Sequence, residues 1–510
     1  MTPTMTRYRS AQPAGRDGFP QLLRTEWTKF RTVRGWVLGM VAAAVMMVLV
    51  ALLAGAGSDQ HGLPAVPIGP GGEPVTDSFY FVHRPLGGNG SITVSVAALR
   101  GGISSDRAGL RPGIVPWAKA GIIIKESTRQ GSPYAAIMVT GSHGVRMQDD
   151  YVNDRAGLPG AVSAASPRWL RLDRSGDAVT GYESADGTHW TMVGTVHVDG
   201  LGSTVQGGLF VASPPSVQGF GTVPSVATAV FGNLRVQGGW LGGHWKGGQV
   251  GPESRTFSGY PANAPGSFTD SGGSVTVTGA GDIAPAVRET LPTGGTIGDI
   301  LTGTFAALIA VIVVGTQFVT AEYRDDMIYV TLAASPRRSR VLAAKAIVLG
   351  AVTFVAGLAG SVVAIPLGKR LAEANGVYLF PVTSSALLRA EVGTAALLAT
   401  AAILALAVGA MLRRSAGAVT TVVVAIALPY ILVAQIPFLP AGASSWLTRV
   451  TPAAAFAVQQ TLVPYHQVTS ISTPYNGYYP LAPWAGFAVL AGYAAVCLAV
   501  AAVLLRRRDA

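Results

Sequence analysis

The sequence predicts a membrane α-helical protein of six transmembrane helices, with a large all-β jelly-roll or sandwich domain inserted after the first. Three observations predict this. Six apolar stretches, at 35–57, 300–320, 341–366, 392–412, 416–436 and 484–505, are each long enough to cross a hydrocarbon layer of about 30 Å at about 1.5 Å per residue. Residues 58–298, between the first and second stretches, are water-soluble in character and punctuated by turn signals. The whole chain of 510 residues is 49% hydrophobic and only 12% charged, whereas soluble domains carry about a quarter.

The elements follow in chain order. Residues 1–19 are polar and contain Pro and Gly, and are expected to be disordered. Pro20 then opens a segment, 20–34, in which Leu23, Trp27 and Phe30 recur at helical spacing while Arg24, Glu26, Lys29 and Arg31 fall largely elsewhere. A basic amphipathic helix with aromatics on its apolar side lies in the membrane interface. The first span, 35–57, is too long for a signal-peptide core and is expected to be retained. Lys345 is the one charge inside any span. It lies near an end, where a lysine stem is expected to snorkel to the interface.

Between residues 58 and 298 there are 16 Lys+Arg and 17 Asp+Glu, so the inserted domain is nearly neutral and the net charge of +11 sits beside the spans. With the N-terminus in the cytoplasm, the inner segments 1–34, 321–340, 413–415 and 506–510, together with Lys345, hold 17 Lys+Arg. The short outer loops hold four: Lys369, Arg370, Arg389 and Arg449. That asymmetry predicts cytoplasmic termini in the plasma membrane, with 58–298 and the loop 437–483 extracellular. The single cysteine, Cys497, excludes an intramolecular disulfide.

The inserted domain reads as β. Short, β-branched-rich runs occur at 91–96, 120–124, 135–140, 169–174, 178–184 and 274–278. Gly87-Gly-Asn-Gly, Gly141-Ser-His-Gly, Arg174-Ser-Gly-Asp and Ala185-Asp-Gly-Thr supply turns.

Little here speaks for chemistry. No G-x-x-x-x-G-K-[ST] phosphate loop occurs, so no ATP site or other cofactor is expected in this chain, and the chain is not expected to be an enzyme. The seven histidines lack zinc-type spacing. Asp149-Asp-Tyr-Val-Asn-Asp lacks an EF-hand pattern and reads as a solvated turn. Glu126 and Glu183 have no spacing that marks a glycosidase pair. Trp117, Trp169, Tyr182 and Trp190 are candidates for stacking on sugar rings, with core positions as the commoner use of strand aromatics. Gln317 and Gln435, inside spans, either bond between helices or line a path.

Two resemblances add to this reading. Phe79-Tyr-Phe-Val-His-Arg-Pro-Leu-Gly-Gly-Asn-Gly-Ser-Ile-Thr-Val, Trp117-Ala-Lys-Ala-Gly-Ile-Ile-Ile-Lys-Glu-Ser, Trp169-Leu-Arg-Leu-Asp-Arg-Ser-Gly-Asp, Gly181-Tyr-Glu-Ser-Ala-Asp-Gly-Thr-His-Trp and Val230-Phe-Gly-Asn-Leu-Arg-Val resemble concanavalin-like or laminin-G-like jelly rolls appended to bacterial glycosidases. The run at 274–283 resembles the opening strand of such domains, which implies a circular permutation that brings the domain's ends together. Leu23-Arg-Thr-Glu-Trp-Thr-Lys-Phe-Arg-Thr-Val-Arg, and Ala321-Glu-Tyr-Arg-Asp-Asp-Met-Ile-Tyr-Val-Thr-Leu-Ala-Ala-Ser-Pro-Arg-Arg, resemble permease subunits of type-2 ABC exporters, especially those of actinobacteria. The resemblance implies that 321–340 is the coupling loop docking on a separate ATPase, with Glu322, Tyr323, Arg324, Asp325, Asp326, Leu332, Pro336 and Arg337 at the contact. It implies ATP bound by that partner, a second permease chain as homo- or heterodimer, and no nucleic acid. The alternative is a membrane-anchored glycan-binding or sensor protein whose partner is cell-wall glycan.

Overall fold

The computed structural model describes residues 18–105, 109–218, 221–251, 260–262, 264–324, 338–434, 439–471 and 473–508. They form two compact units. One comprises the chain up to 59, 296–461 and 473–510; the other comprises 60–295 and 462–472.

The first unit is helical. A leading helix, Phe19–Thr32, has Pro at its first turn, where a missing N–H costs nothing. Six helices long and apolar enough to cross a membrane follow: Arg34–Ala56 (span 1), Ile297–Tyr323 (span 2), Arg338–Ala374 (span 3), Ser384–Leu412 (span 4), Ser415–Ala434 (span 5) and Pro483–Arg507 (span 6). Span 2 starts at a reciprocal cap, in which the Thr296 side chain accepts from the Asp299 N–H and Asp299 accepts from the Thr296 N–H. Span 3 runs past Pro366, where the sequence reading ended it. Neighbouring helices and the apolar medium keep a helix intact across a proline that would break it in water.

Span 4 is the central helix. Leu397, Leu398, Ala401, Ala402, Leu404, Ala405, Leu406 and Ala407 are all buried, and it packs on spans 2, 3 and 6. Small residues set the close approaches, as expected where lipid offers helices no hydrophobic driving force. A methyl group on Gly315 would stand 2.7 Å from the Ala402 carbonyl oxygen. The connection between spans 5 and 6, read from sequence as a loop, contains a helix, Ala441–Val450, and a buried 3-10 helix, Pro452–Gln459. Gln459 donates from Nε2 to the hydroxyls of Thr304 (2.9 Å) and Thr394 (3.0 Å), satisfying polar groups in an otherwise apolar interior.

The second unit is a β-sheet domain. Its backbone is one 27-residue strand, Phe79–Ser105. The sequence reading placed a turn at Gly87–Gly90, but the strand continues through it, with Gly88 at φ +69°. Glycines there let the strand bend and pass between layers without ending. Its first half pairs antiparallel with Thr204–Ala212 and Lys246–Val250, and its second half with Arg168–Ser175 and Ser225–Trp240. From Thr204–Ala212 the sheet continues through Lys119–Lys125, Tyr134–Thr140 and Val145–Asp149. Ser274–Gly279 joins the same sheet, beside Ala227–Gly232 rather than directly beside the long strand.

Lys119–Lys125 and Tyr134–Thr140 are buried on both faces. Ala120, Ile122 and Ile124 enter the larger apolar core with Val82, Leu172 and Leu209. Ile123 faces the second core, with Phe79, Phe81, Tyr134, Phe210 and Ile283. Lys119 and Lys125 share that second face, and each is fully buried. Strand alternation puts both there, since residues two apart point the same way.

These lysines fasten the ends of the domain. The entering segment Val75–Asp77 pairs antiparallel with the leaving segment Ile283–Pro285. Lys125 Nζ donates to Asp77 Oδ2 at 2.7 Å, and Lys119 Nζ donates to Asp282 Oδ1 at 2.5 Å. Tyr151 donates its hydroxyl to Asp77 Oδ2 (2.6 Å), and the Gly131 N–H donates to the same oxygen (2.8 Å). Burial pulls the Lys125 ammonium below its ordinary pKa, with Asp77 opposing. Residues 462–472 also belong to this unit. Gln467 donates to the carbonyl oxygens of Tyr151 (3.3 Å) and Val152 (2.9 Å), and Val468 packs on Ala284 and Val287.

The turn that presents Tyr151 is strained, with Asp150 at φ 44° and Tyr151 at φ 67°. Burial pushes the Asp150 carboxyl up to about 6, against the Tyr134 N–H that pulls it down, and Asp149, Glu73 and Asp199 add to the rise.

Two predictions follow from these groups. Lys125→Met leaves Asp77 buried and uncompensated, so it is expected to cost about 3–5 kcal/mol, while Lys125→Met with Asp77→Asn costs less than either alone. Limited proteolysis of the full chain at 60–295 reads this order. For Asp150 the folded pKa lies above the unfolded value near 3.9, so the native state binds the extra proton and stability falls as pH rises from about 4 to about 6. Asp150→Asn keeps the acceptor for the Tyr134 N–H and is expected to raise the melting temperature above pH 6 and leave it unchanged below pH 4.

Candidate functional site

The second unit offers little for catalysis. Among the described residues, no three His, Cys, Asp or Glu side chains converge as a metal site. In the acidic turn each carboxylate has its own partner: Asp149 takes Asn153, Asp150 takes the Tyr134 N–H and Asp154 takes Arg146 and Gln148. Glu183 is 1% exposed and accepts from the Leu158 N–H at 2.7 Å, a structural use. Trp117, one of the candidates for stacking on sugar, is 4% exposed and stacks on His143 at 3.9 Å, with Arg146 on its ring. It is a core aromatic. Trp169, Tyr182 and Trp190 are half-buried. Trp169 lies against Gly187, and Arg171 sits over the Tyr182 ring at 5.7 Å.

The helical unit holds a different kind of site. Its apolar interior contains four charged side chains in mutual contact. Lys345, in the first turns of span 3, donates from Nζ to Glu26 Oε2 at 2.7 Å and to Glu322 Oε1 at 2.8 Å. Lys29 donates to Glu322 Oε1 at 2.8 Å and to Glu26 Oε1 at 3.2 Å. Glu26, Glu322 and Lys345 are 1%, 4% and 2% exposed. Two acids and two bases cancel, so no net charge is buried, which makes the cluster tolerable in a low-dielectric interior.

An aromatic wall encloses it. The Lys345 ammonium stands 4.6 Å from the centre of the Phe318 ring, a cation–π contact. Phe318 makes edge contacts with Phe30 (5.6 Å) and Trp36 (5.0 Å). The cluster therefore joins the leading helix, the end of span 2 and the start of span 3. Burial lowers the Lys29 pKa, but Glu322 and Glu26 outweigh that and hold it above its ordinary value.

This corrects one reading. Lys345 does not snorkel outward; two carboxylates hold it inside. The leading helix buries Phe30 and Glu26 and packs Leu23 against the same core, while Trp27 is 47% exposed. Helical periodicity treats Glu26 as polar surface because its partners lie on other helices. A signal was present: a lone lysine in a span requires a counter-charge, and Glu26 and Glu322 are among the few acids beside the spans. Of the expected coupling residues, Glu322 belongs to the cluster, and Tyr323 follows it at the end of span 2. Arg324 ends the helix Thr304–Arg324. Asp325, Asp326, Leu332, Pro336 and Arg337 lie outside the described residues, as do Gln435 and nearly all of 1–19.

Beside the cluster, a cleft of about 830 Å³ is lined by Lys29, Trp36, Gln317, Glu322, Tyr323, Arg413, Arg414 and neighbouring small residues. Arg413 closes span 4 in the left-handed conformation, φ 55°, and its N–H donates to the Gly409 carbonyl. Its guanidinium lies 5.1 Å from the centre of the Tyr323 ring.

Six apolar helices, an inserted β domain and a charge-locked leading helix define a polytopic membrane protein whose helical unit is built to hold a juxtamembrane segment in place. A family model described as ABC-2 family transporter protein matches residues 135–510. The chain belongs to that family; it is a transporter permease rather than an enzyme, and membership implies an ABC ATPase partner. No curated protein matches the chain. Similarity to solved structures includes a functionally unknown protein from Saccharomyces cerevisiae (14% identity, 31% of this chain and 74% of that one, TM-score 0.21). It also includes the GH43 protein BlXynB from Bacillus licheniformis (16%, 24% and 24%, TM-score 0.16) and scytalido-glutamic peptidase (9%, 40% and 98%, TM-score 0.26). At these TM-scores the likenesses carry no argument about function.

Breaking the cluster from one side strands a charge. Lys345→Met is expected to cost the helical unit about 3–5 kcal/mol, read as a lowered melting temperature of the detergent-solubilised chain. Adding Glu322→Gln to it is expected to recover part of the loss.

Proposed function

We propose that this chain is the membrane subunit of an ATP-driven exporter whose ATPase is a separate chain, and that residues 321–340 are where the ATPase docks. The observation that carries this reading is the buried charge cluster. Lys345 and Glu322 flank the connection between spans 2 and 3 on its two sides, and Glu26 and Lys29 fasten the leading helix to both. A push on that connection is thereby delivered to two spans and the leading helix as one body. A second set of bonds extends it: Arg338 donates to the Leu505 carbonyl oxygen (2.8 Å) and Arg506 to Ser339 Oγ (3.1 Å), joining the start of span 3 to the end of span 6.

In this reading the termini and 321–340 are cytoplasmic, by the charge asymmetry, and the β domain is an extracellular jelly roll. Glu322 positions the loop from within, while Tyr323, Arg324, Asp325, Asp326, Leu332, Pro336 and Arg337 supply the docking contacts. Two permease chains, identical or related, pair with two ATPases, whose closure on ATP drives the spans between access states.

The test is purification of the tagged full chain from its native membrane, with mass spectrometry of what accompanies it. An ABC ATPase in stoichiometric amount is expected. It is expected to be lost when Arg324, Asp325 and Asp326 are all changed to Ala, with the melting temperature unchanged. A wild-type chain that carries no ATPase contradicts the reading.

A further inference from the structure

Spans 3, 4 and 6 leave a groove of about 690 Å³ between them. Ala343, Gly350 and Phe354 of span 3, Ala396 and Thr400 of span 4, and Leu498 of span 6 line it. Thr400 carries the one hydroxyl of that lining, which holds no charged side chain. The groove opens at the surface of the bundle: Ile347 and Val355, on its span 3 side, are 50% and 65% exposed. Along span 3 it runs from Ala343 to Val355, about 18 Å at about 1.5 Å per residue, or roughly half of a hydrocarbon core of about 30 Å. An uncharged slot one leaflet deep, beginning in the first turns of a span, matches a lipid acyl chain.

The mouth of the groove is basic. Residues three and four apart share a helix face, so Arg340 and Ser339 stand one turn before Ala343, on the side of span 3 that lines the groove. Arg506 of span 6 reaches the same place, donating to Ser339 Oγ at 3.1 Å. Arg340 and Arg506 are both exposed. Each guanidinium is a fork of N–H donors whose geometry matches phosphate oxygens. A second copy of this chain is a poor occupant by charge. It would lie in the same orientation and bring its own arginines, at the start of span 3 and the ends of spans 4 and 6, to the same level. Like charges there repel, whereas an anionic headgroup is attracted.

We propose that this groove holds an acyl chain of an anionic phospholipid, whose phosphate headgroup Arg340 and Arg506 bind at the mouth. The lipid bridges the start of span 3 to the end of span 6, beside the direct bonds from Arg338 to the Leu505 carbonyl and from Arg506 to Ser339. This goes beyond the exporter reading and does not depend on it, since the site needs only the helical unit and a bilayer.

The experiment uses the full chain in nanodiscs containing equal amounts of phosphatidylglycerol and phosphatidylcholine with identical acyl chains. The chain is released into mild detergent, and the lipids retained on it are counted by native mass spectrometry. One phosphatidylglycerol per chain is expected, in preference to phosphatidylcholine. Arg340→Gln with Arg506→Gln is expected to reduce that preference on the order of thirtyfold. Arg340→Gln alone, which keeps the bond from Arg506 to Ser339, is expected to reduce it about fivefold, so the test survives a folding defect in the double variant. Ala343→Leu with Ala351→Leu fills the groove from positions of span 3 that are not buried, using a good helix former, and leaves the arginines in place. That pair is expected to abolish retention at unchanged melting temperature. Equal retention of the two lipids, or a preference undiminished by Arg340→Gln, overturns the proposal. Retention unchanged by the groove-filling pair puts the lipid elsewhere and overturns it too. A wild-type dimer that retains no lipid and is lost in the groove-filling pair makes the groove an interface between copies, which also overturns it.

Discussion

The helical unit depends on one constraint: a lysine buried in an apolar interior must have its charge cancelled there. Lys345 meets it with two carboxylates, and neither comes from its own helix. Glu26 belongs to the leading helix and Glu322 to the end of span 2. Satisfying one cation thus brings three elements to a fixed point, and Lys29 completes the balance from the partly exposed side. The rings of Phe30, Trp36 and Phe318 border the same point, and burial there strengthens each ion pair and makes an unpaired group more costly. An apolar contact would slide; a buried, charge-matched set has few alternative arrangements.

The β domain solves a different problem with the same device. A domain inserted between two neighbouring spans must begin and end close together. Here Val75–Asp77 and Ile283–Pro285 pair as adjacent strands, and Lys125 and Lys119, on one face of a single strand, each hold one end through an aspartate. The connection between spans 5 and 6 also supplies 462–472 to this unit, fixed by Gln467 and by the Ile471 N–H, which donates to Glu289. The β domain is thereby connected by chain to spans 1, 2, 5 and 6.

The spans were legible because hydrocarbon imposes a length and composition that few other structures share. Most turns in the β domain were legible for a similar local reason: Gly176 and Gly187 adopt positive φ where glycine was read as a turn. Gly87–Gly90 misled, since the same residues serve a bend as well as a turn. The candidate site was only partly legible. Glu322 was noted through the family-like stretch around it, but Glu26 was placed off the apolar side of the leading helix and Lys345 at the interface. Pairing between residues 319 positions apart leaves no trace in local periodicity. Trp117 shows the same limit, because a strand aromatic reads alike whether it faces a ligand or a core.

The most direct measurement of the central claim is hydrogen exchange of the full chain, wild type against Glu322→Gln. If the charge cluster fastens the leading helix to the spans, amides in Phe19–Thr32 lose protection in the variant while those of span 4 keep theirs. Unchanged protection of the leading helix would contradict the account, because its position would then be held by apolar packing without the charges.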